Sequence, residues 1–563
     1  MFATLFTLCE CIADLKGIGL PLTGQKRESV VLRRGAQMAT PERSSGRNAR
    51  VKMHGHTFSK LLRGIVIAVS VLLVESGVAP LMAKAPHGAD NAPETRAGLY
   101  PTNPMVFELD VPIDPMGLGA LFAHDLTGDG QMDFVVTSPG HVAAYSSAGA
   151  QLWHVRDEIA LNRADRGSGY PGLHAPGAIA GDMDGDGREE VAYLLSDGML
   201  IVRDARNGKT ERSFHFPGAL ALAIADFRGK GERDAVLQYS QRELRAIDLE
   251  NGQTLWHVTD WWGVEHSVVR TIDLDGDGHD EVVGPILLDR NGTLLQTAAH
   301  EGTRMDAFDS LAVGDILPEP GLEIALAEQH GNEETIVLSP SGAGWTAHHE
   351  PGGVWAIGEC RYNQDPDKLA VGDFDTDHPG QEVFARSSCG NHPWLMSREG
   401  EVIGTWSVGR SAPPGWCHVG DCRAESKAGV IERIVDWIRV DFRGGRSAQR
   451  GEYGIDIARP VHWDGTGRQL LFVTERHVDG QIALVDARNG LFLRVWPAEA
   501  ARTYAADVAG DFREELIVLE ARRDGSVLKI FWNDAEATGQ PRASLWDDQH
   551  YRRTRQNWNY YSP

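Results

Sequence analysis

Short apolar runs alternate with polar, glycine-rich loops along most of the chain, and long stretches of helical periodicity are absent. One phrase recurs: an apolar run that ends in Asp, a loop rich in Asp and Gly, an acidic residue, and a second apolar run. Clear copies begin at Ala123, Ala180, Thr271 and Val371. Apolar runs of this length, bounded by turn residues, are typical of β-strands. The pattern therefore predicts an all-β protein built from repeats.

Weaker copies of the phrase bring the number of repeats to eight. The residues that open the eight loops are Asp125, Asp182, Asp226, Asp273, Asp315, Asp373, His462 and Asp507. Most neighbouring copies are separated by roughly the 40–50 residues of a four-stranded propeller blade. Asn-Gly pairs such as Asn207-Gly208 predict hairpin turns, and a Trp that often follows is predicted to pack between blades. The sequence predicts an eight-bladed β-propeller, with a seven-bladed ring as the alternative.

The loops carry the pattern D-x-D-G-D-G-x-x-[DE], whose alternating side-chain oxygens suit Ca²⁺. The loops that open at Asp182 and Asp273 match it fully, and those at Asp125 and Asp373 match it in part. The predicted ligands are Asp125, Thr127, Asp129, Asp133, Asp182, Asp184, Asp186, Glu190, Asp273, Asp275, Asp277, Glu281, Asp373, Asp375, Asp377 and Glu382. We expect several Ca²⁺ ions with a mainly structural role. Arg228 and Lys230 occupy ligand positions of the third loop, which is predicted to hold no ion because cations repel Ca²⁺.

Composition and charge reduce the number of functions that the protein can have. The chain of 563 residues is 42% hydrophobic and 24% charged, as expected of a folded globular protein. Its formal net charge is −24, which argues against a nucleic-acid partner because such proteins need a basic surface to displace counterions from phosphates. An acidic chain fits calcium binding or an exported enzyme.

The N-terminal segment is predicted to be a leader rather than part of the fold. Lys60 and Arg63 precede an apolar run over residues 65–74, and Ala83-Lys84-Ala85 provides a cleavage site, as in a signal peptide. The run is too short for a membrane-spanning helix, which needs about 20 residues. We therefore expect an exported protein (periplasmic, cell-surface or secreted) without a stable membrane span, and an uncleaved anchor is the alternative.

These signals predict the following domain boundaries. The chain divides into a leader over 1–85 (with the signal peptide over 53–85), a linker over 86–117 and a propeller over 118–563, which contains an insertion at about 412–456 and a C-terminal tail over 545–563. We also hypothesise that Met53 is the true start. Export would place four cysteines in an oxidising compartment. The expected disulfides are then Cys360–Cys389 and Cys417–Cys422, with free buried thiols as the alternative.

The repeats resemble FG-GAP/VCBS repeats, which form the propellers of integrin α-subunits and of many bacterial secreted proteins. The C-terminal half is similar to rhamnogalacturonan lyases of polysaccharide lyase family 11. The segments that carry this resemblance begin at Leu369, Ala458, Ala505 and, most specifically, Leu545 (LWDDQHYRRTRQNWNY). The resemblance implies a calcium-rich eight-bladed propeller that acts on an acidic polysaccharide. The chain departs from the family because it has no room for an N-terminal β-sandwich.

A lyase of this kind works by β-elimination at a uronic acid. The reaction needs a base that removes the proton α to the carboxylate and a cation that stabilises the developing enolate. Two groups of candidate residues follow. The first is Tyr551 or Tyr560 for proton transfer with Arg552 or Arg553 as the carboxylate clamp, and the second is His266, or alternatively His257, as base with Trp261 and Trp262 as sugar-stacking platforms. The alternatives are that the tail is a latch between the first and last blades and that the Trp residues pack between blades.

Three functions therefore compete. The first is an exported lyase that acts on an acidic polysaccharide. The second is a non-catalytic, integrin-like module that binds a carbohydrate, a protein or another extracellular ligand. The third is a redox propeller with a quinone cofactor, which the Asp-rich loops disfavour.

Overall fold

The computed structural model describes residues 100–114, 118–162, 169–349, 366–387, 393–406, 455–475, 481–535 and 544–559. Within these ranges the strands form eight four-stranded antiparallel sheets, each built from consecutive strands except the last. The all-β prediction and the blade number of eight are thereby confirmed, and the seven-bladed alternative is wrong. The innermost strands of neighbouring blades contact each other around the axis of the ring.

The first four blades follow one another in the chain. Blade 1 comprises β2 (Ala120–His124), β3 (Asp133–Ser138), β4 (His141–Tyr145) and β5 (Gln151–Val155). Blade 2 comprises β6 (Ala178–Gly181), β7 (Glu190–Leu194), β8 (Met199–Asp204) and β9 (Thr210–His215). Blade 3 comprises β10 (Ala221–Ala225), β11 (Asp234–Ser240), β12 (Glu243–Asp248) and β13 (Thr254–Val258). Blade 4 comprises β14 (Arg270–Ile272), β15 (Glu281–Val283), β16 (Ile286–Leu288) and β17 (Leu294–Thr297).

The other four blades complete the ring. Blade 5 comprises β18 (Phe308–Gly314), β19 (Glu323–Glu328), β20 (Glu334–Leu338) and β21 (Gly344–His348). Blade 6 comprises β22 (Pro366–Gly372), β23 (Glu382–Ser387), β24 (Pro393–Met396) and β25 (Val402–Thr405). Blade 7 comprises β26 (Ile455–Val461), β27 (Leu470–Glu475), β28 (Ile482–Asp486) and β29 (Leu491–Trp496). Blade 8 comprises β30 (Ala500–Ala506), β31 (Glu515–Arg522), β32 (Gly525–Phe531) and β1 (Met105–Leu109).

The ring is closed by its N-terminal strand. β1 pairs antiparallel with β32, with Met105 opposite Ile530 and Leu109 opposite Ser526. The predicted linker over 86–117 therefore needs correction, because five of its residues form the outer strand of the last blade. A strand contributed from the opposite end of the chain hides the edge that blade 8 would otherwise expose.

Tryptophans on outer strands join neighbouring blades. The indole N–H of Trp153 in blade 1 donates to the carbonyl oxygen of Ala205 in blade 2, and Trp406 in blade 6 donates in the same way to Ala487 in blade 7. Gly208 follows Ala205 in a turn with φ of 69°, and a Cβ there would lie 2.7 Å from the Trp153 ring. The glycine therefore allows both the turn and the approach of the indole. The predicted packing of Trp between blades is confirmed at these positions.

The two ends of the ring differ in their loops. At the Asp-loop end, each innermost strand passes through the repeated acidic loop into the second strand of its blade. At the crossover end, the outer strand of one blade connects to the innermost strand of the next.

The tail begins with a 3-10 turn, Leu545–Asp547, and continues as helix α1, Gln549–Gln556, which Asp548 caps by accepting from the backbone N–H of His550. No helix among the described residues is both long and apolar enough to span a membrane. The four cysteines of the expected disulfides lie outside the described residues, as does almost all of the predicted insertion.

Candidate functional site

The loop of blade 4 shows how the repeat builds a cluster of carboxylates. One oxygen of Asp273 accepts from the backbone N–H of Gly276 at 2.8 Å, and the other accepts from Gly278 at 2.9 Å. Glu281 accepts from the backbone N–H of Leu274 at 2.9 Å. The carboxylates of Asp273 and Glu281 therefore accept hydrogen bonds from the backbone of the loop, and these bonds stabilise a tight turn around the carboxylate oxygens. Both glycines have positive φ, which the tight turn requires.

Two loops bring three carboxylates close enough to hold one ion. Ligand oxygens of Asp273, Asp275 and Glu281 lie within 4.8 Å of one another, as do those of Asp182, Asp184 and Glu190. These are the two loops whose sequences match the calcium pattern fully. An all-oxygen donor set fits Ca²⁺. Burial is the first cause that raises the pKa of Glu190 and of Glu281 to about 8, and neighbouring acids add to it. A divalent cation would offset this crowding.

The partly matching loops are less complete. Asp125 accepts from Gly128, Asp129 and Gly130, as expected of a lead residue. Glu382 accepts from the backbone N–H groups of Phe374 and Asp375 despite its displaced position. Within the described part of the chain, neither loop gathers three donors as closely as the loops of blades 2 and 4 do. Their ligands stay a prediction.

The third loop carries its own cation. The guanidinium of Arg228 donates to Asp234 at 2.8 Å and to Asp248 at 2.7 Å. It therefore neutralises the terminal acid of the loop, which is the residue that corresponds to Glu281 in blade 4.

At the Asp-loop end, pairs of hydrogen bonds also join the acidic loops of neighbouring blades, which the sequence analysis did not predict. We call each such pair of hydrogen bonds a clasp. The backbone N–H of Asp226 donates to the side chain of Asp280 at 2.7 Å, and the backbone N–H of Asp280 donates to the carbonyl oxygen of Asp226 at 2.9 Å. The same exchange joins Asp315 with Gln381, Asp373 with Gln469, and His462 with Glu514. The available signal was the acid or amide directly before the last loop position, which is an acid in three of these copies and Leu470 in the copy that contains Gln469.

Tyr551, a candidate catalytic residue of the tail, is buried against the clasp that joins blades 7 and 8. The Tyr551 hydroxyl donates to Glu514 at 2.9 Å and accepts from the backbone N–H of Asp507 at 2.8 Å. Its side chain is 8% exposed, and burial raises its pKa well above the usual value. Tyr560 lies outside the described residues.

The arginines of the tail bind the protein's own acceptor groups. Arg553 lies 2.8 Å from Asp280 and 3.2 Å from Glu232, and it is 3% exposed. Arg555 pairs with Glu514. Arg552 donates to the carbonyl oxygen of Trp546 at 2.6 Å. Of the two predicted clamps, Arg553 is therefore paired with carboxylates of the Asp-loop end, and Arg552 is bound to a backbone carbonyl oxygen.

Helix α1 and the residues after it connect several blades. Gln556 donates to the carbonyl oxygen of Ala180 in blade 2 at 2.9 Å, and Asn557 donates to that of Thr271 in blade 4 at 3.1 Å. Together with the partners in blades 3 and 8, these contacts show that the tail ties the ring across its axis. This geometry favours the latch alternative for the tail.

The other candidate group lies at the crossover end. His266 stands in the connection before β14, and its Nε2 lies 3.2 Å from Oδ1 of Asp309 at the start of β18. The second oxygen of Asp309 accepts from Lys368 at 2.5 Å. Ligand atoms of Glu265, His266 and Asp309 lie within 4.8 Å of one another. We call Glu265, His266, Asp309 and Lys368 the Asp309 cluster.

The surroundings of the Asp309 cluster are polar and partly buried. The ring of His174 lies 5.0 Å from that of His266, measured between centroids. Lys368 also contacts Asp367, which pairs with Arg386 at 2.6 Å. Burial first, and then the charge of Asp309, raises the pKa of Glu265. The cluster thus combines an imidazole, two carboxylates and an ammonium group beside the axis.

The two candidate tryptophans differ. Trp261 is 1% exposed, and its indole N–H donates to the carbonyl oxygen of Ile286 at 3.0 Å, so it packs inside blade 4. Trp262 is half-buried, and the Arg242 guanidinium lies 4.4 Å from its ring centroid. Both residues share their connection with His266, so the structure brings Trp262 and His266 to the same end of the ring.

Comparison with known proteins supports the repeat assignment. Residues 125–193 match the family model of the FG-GAP-like repeat. The chain carries an FG-GAP-like repeat. This segment contains the acidic loops of blades 1 and 2, so the family match and the geometry refer to the same feature.

The chain is also similar to rhamnogalacturonan lyases. It is 23% identical over 487 residues to rhamnogalacturonan endolyase YesW of Bacillus subtilis (strain 168), an alignment that spans 72% of this chain and 66% of the relative, just under two thirds. Two crystal structures share its fold. That of rhamnogalacturonan lyase YesW has a TM-score of 0.52 at 18% identity and covers 82% of this chain and 81% of the other. That of the exotype rhamnogalacturonan lyase YesX has a TM-score of 0.55 at 19% identity and covers 81% of each chain. The resemblance found in the sequence is confirmed at this level.

Proposed function

We propose that the protein is an exported lyase that cleaves a uronate-containing, rhamnogalacturonan-like polysaccharide by β-elimination. The observation that carries the proposal is the His266–Asp309 pair at the crossover end, in a chain similar to a rhamnogalacturonan endolyase. Export is supported by the signal-peptide pattern of residues 53–85.

His266 is the proposed base. It takes the proton α to the uronate carboxylate, the electron pair forms the new double bond, and the bond to the leaving sugar oxygen breaks. Asp309 holds the imidazole and stabilises its protonated form. The carboxylates of Glu265 and Asp309 offer oxygen ligands for a divalent cation that would bind the substrate carboxylate. Trp262 is the proposed platform for a sugar ring.

The test is a lyase assay on a panel of uronate polymers with Ca²⁺, in which the unsaturated product is followed by its ultraviolet absorbance. We expect His266→Ala to lower kcat by about 10²–10⁴-fold, the usual contribution of a general base. His257→Ala is the matched control, since His257 pairs with Glu243 on an outer strand. Absence of product across the whole panel would overturn the proposal.

Tyr551→Phe separates the two candidate groups. If the tail is a latch, this variant has a lower melting temperature but retains its specific activity below that temperature. Loss of activity in a folded Tyr551→Phe protein would instead move the base to the tail.

The non-catalytic module is a second candidate function. It is favoured by the engagement of Tyr551 and Arg553 with the protein's own groups. Glycan binding without any unsaturated product in the same panel would identify the protein as a binding module.

A further inference from the structure

Two imidazoles meet on the outer part of blade 1, away from both candidate groups. His141 opens β4 and His154 lies on the neighbouring β5, two positions out of direct register. Nδ1 of His141 lies 2.8 Å from Nε2 of His154, and the ring centroids are 5.1 Å apart. Both residues are half-buried, so solvent and ions reach them.

Blade 3 provides an internal comparison, because it places a different residue in the same position. His257 on β13 follows Leu255-Trp256 as His154 follows Leu152-Trp153, so the two histidines are equivalent in the repeat. Glu243 opens β12 and stands two positions out of register from His257, as His141 does from His154. Nε2 of His257 lies 2.9 Å from Glu243. One backbone geometry therefore presents an imidazole pair in blade 1 and an imidazole–carboxylate pair in blade 3.

We propose that His141 and His154 form a binding site for a transition-metal ion of the Ni²⁺ or Cu²⁺ type. Imidazole nitrogens suit these ions, which take square-planar or octahedral geometry. In the ion-free protein the two nitrogens share a hydrogen bond at 2.8 Å, so an ion would replace the shared proton and the rings would turn towards it. Adjacent ligands at metal–nitrogen distances near 2.0–2.1 Å are about 2.9 Å apart, so the spacing of the two nitrogens would change little.

A carboxylate beside the pair offers an oxygen atom as a third ligand. An oxygen of Glu158 lies near Gly140, the residue before His141. Glu158 is exposed, so its side chain is able to turn towards an ion on the imidazoles. This site differs from the acidic loops in its chemistry, because nitrogen donors favour transition metals whereas all-oxygen loops favour Ca²⁺.

Calorimetric titration with Ni²⁺ in excess Ca²⁺ tests the site, since Ca²⁺ occupies the acidic loops. His141→Glu gives blade 1 the pairing that blade 3 already has. We expect this variant to bind Ni²⁺ at least about tenfold more weakly, a loss that even a disturbed outer-shell partner causes at metal sites. The reciprocal variant, Glu243→His, is expected to add a second Ni²⁺ equivalent.

Two further variants exclude other sources of the signal. His257→Ala leaves the first Ni²⁺ equivalent unchanged if the site is in blade 1. Unchanged Ni²⁺ affinity in His141→Glu, or a signal that only His266→Ala removes, overturns the proposal. None of these measurements involves lyase activity, so the site is tested independently of the proposed function.

Discussion

The acidic loops of blades 3 and 4 begin alike and end differently. In both, the lead Asp accepts from backbone N–H groups up to five residues further on: Asp226 from Lys230 and Gly231, and Asp273 from Gly276 and Gly278. The turn is thus a property of the lead residue and the glycines. It forms in both loops although only one of them keeps the full set of carboxylates.

The difference lies in how the terminal acid is neutralised. In blade 3, Arg228 reaches both Asp234 and Asp248. In blade 4, Asp275 takes the position of Arg228, and the carboxylates crowd around Glu281. The terminal acid is therefore paired with a guanidinium in blade 3, whereas in blade 4 it belongs to a cluster of carboxylates close enough to hold an ion. The comparison teaches that the repeat fixes the shape of the loop, whereas the residue at one position, Arg228 or Asp275, decides whether the loop contains its own cation.

Calcium removal should separate the two loops most strongly. We expect EDTA to lower the melting temperature, because each occupied loop adds about 2.7 kcal/mol when Ca²⁺ is a hundredfold above Kd. Asp273→Asn should remove the part of this shift that blade 4 contributes. The same substitution at the lead position of blade 3, Asp226→Asn, should lower the melting temperature equally with and without Ca²⁺. Melting curves that EDTA leaves unchanged would contradict the calcium assignment.

Removing the internal cation should have the next largest effect. Arg228→Ala leaves Asp234, whose side chain is 1% exposed, without its guanidinium. We expect a loss of about 2 kcal/mol in the free energy of unfolding, less than the 3–5 kcal/mol of a fully buried pair because Arg228 is partly exposed. Urea denaturation in EDTA measures it.

Arg290→Ala is the matched control for that experiment, since Arg290 is exposed and lies 4.0 Å from Asp277. Its expected effect is close to zero. Equal losses in the two variants would refute the special role of Arg228.

The sequence was sufficient for the ring because its signals are local. A loop motif between two apolar runs defines one blade, and eight copies define the architecture. The carboxylate clusters of blades 2 and 4 were predicted for the same reason, since the residues of each cluster, such as Asp182 and Glu190, belong to one short loop.

Contacts between segments that are distant in the chain are not indicated by any such motif in the sequence. β1 closes blade 8 from a segment with no loop motif, and it was assigned to a linker. The Asp309 cluster joins residues from three blades, of which only His266 was predicted, and the spacing between them carries no periodicity. Arg552 or Arg553 was predicted to clamp a substrate because the charge was visible in the sequence, whereas the pairing of Arg553 with Asp280 was not.

Acid should weaken the binding of Ca²⁺ to the loops of blades 2 and 4. Glu190 and Glu281 have a pKa raised to about 8, so without metal their contribution to stability is complete below the ordinary pKa of 4.5 and is lost as the pH rises through about 8. Calcium needs both carboxylates ionised. The difference in melting temperature between Ca²⁺ and EDTA should therefore widen from pH 5 to pH 8. In Arg228→Ala it should widen equally, and a constant difference would contradict these shifts.

The smallest expected effect concerns the two loops that match the calcium pattern equally well. In blade 2, Arg212 lies 3.1 Å from Asp184 and 3.6 Å from Glu190, where it competes with an ion. Arg212→Ala should raise the Ca²⁺ affinity of this loop by about twofold to fivefold, within the range of a partly exposed ion pair. Calorimetric Ca²⁺ titration in an Asp273→Asn background, which removes the signal of blade 4, measures this change.

Arg212 gives the loop of blade 2 an intermediate position between the loops of blades 3 and 4. Without metal, Arg212→Ala should lower the melting temperature, because Glu190 loses the cation that stands near it. With saturating Ca²⁺ the melting temperature should stay unchanged or rise. Opposite responses in the two conditions would place blade 2 between its neighbours: Arg212 would be an exchangeable substitute for the ion, whereas Arg228 in blade 3 is a permanent one. Parallel responses would mean that Arg212 only packs against the loop.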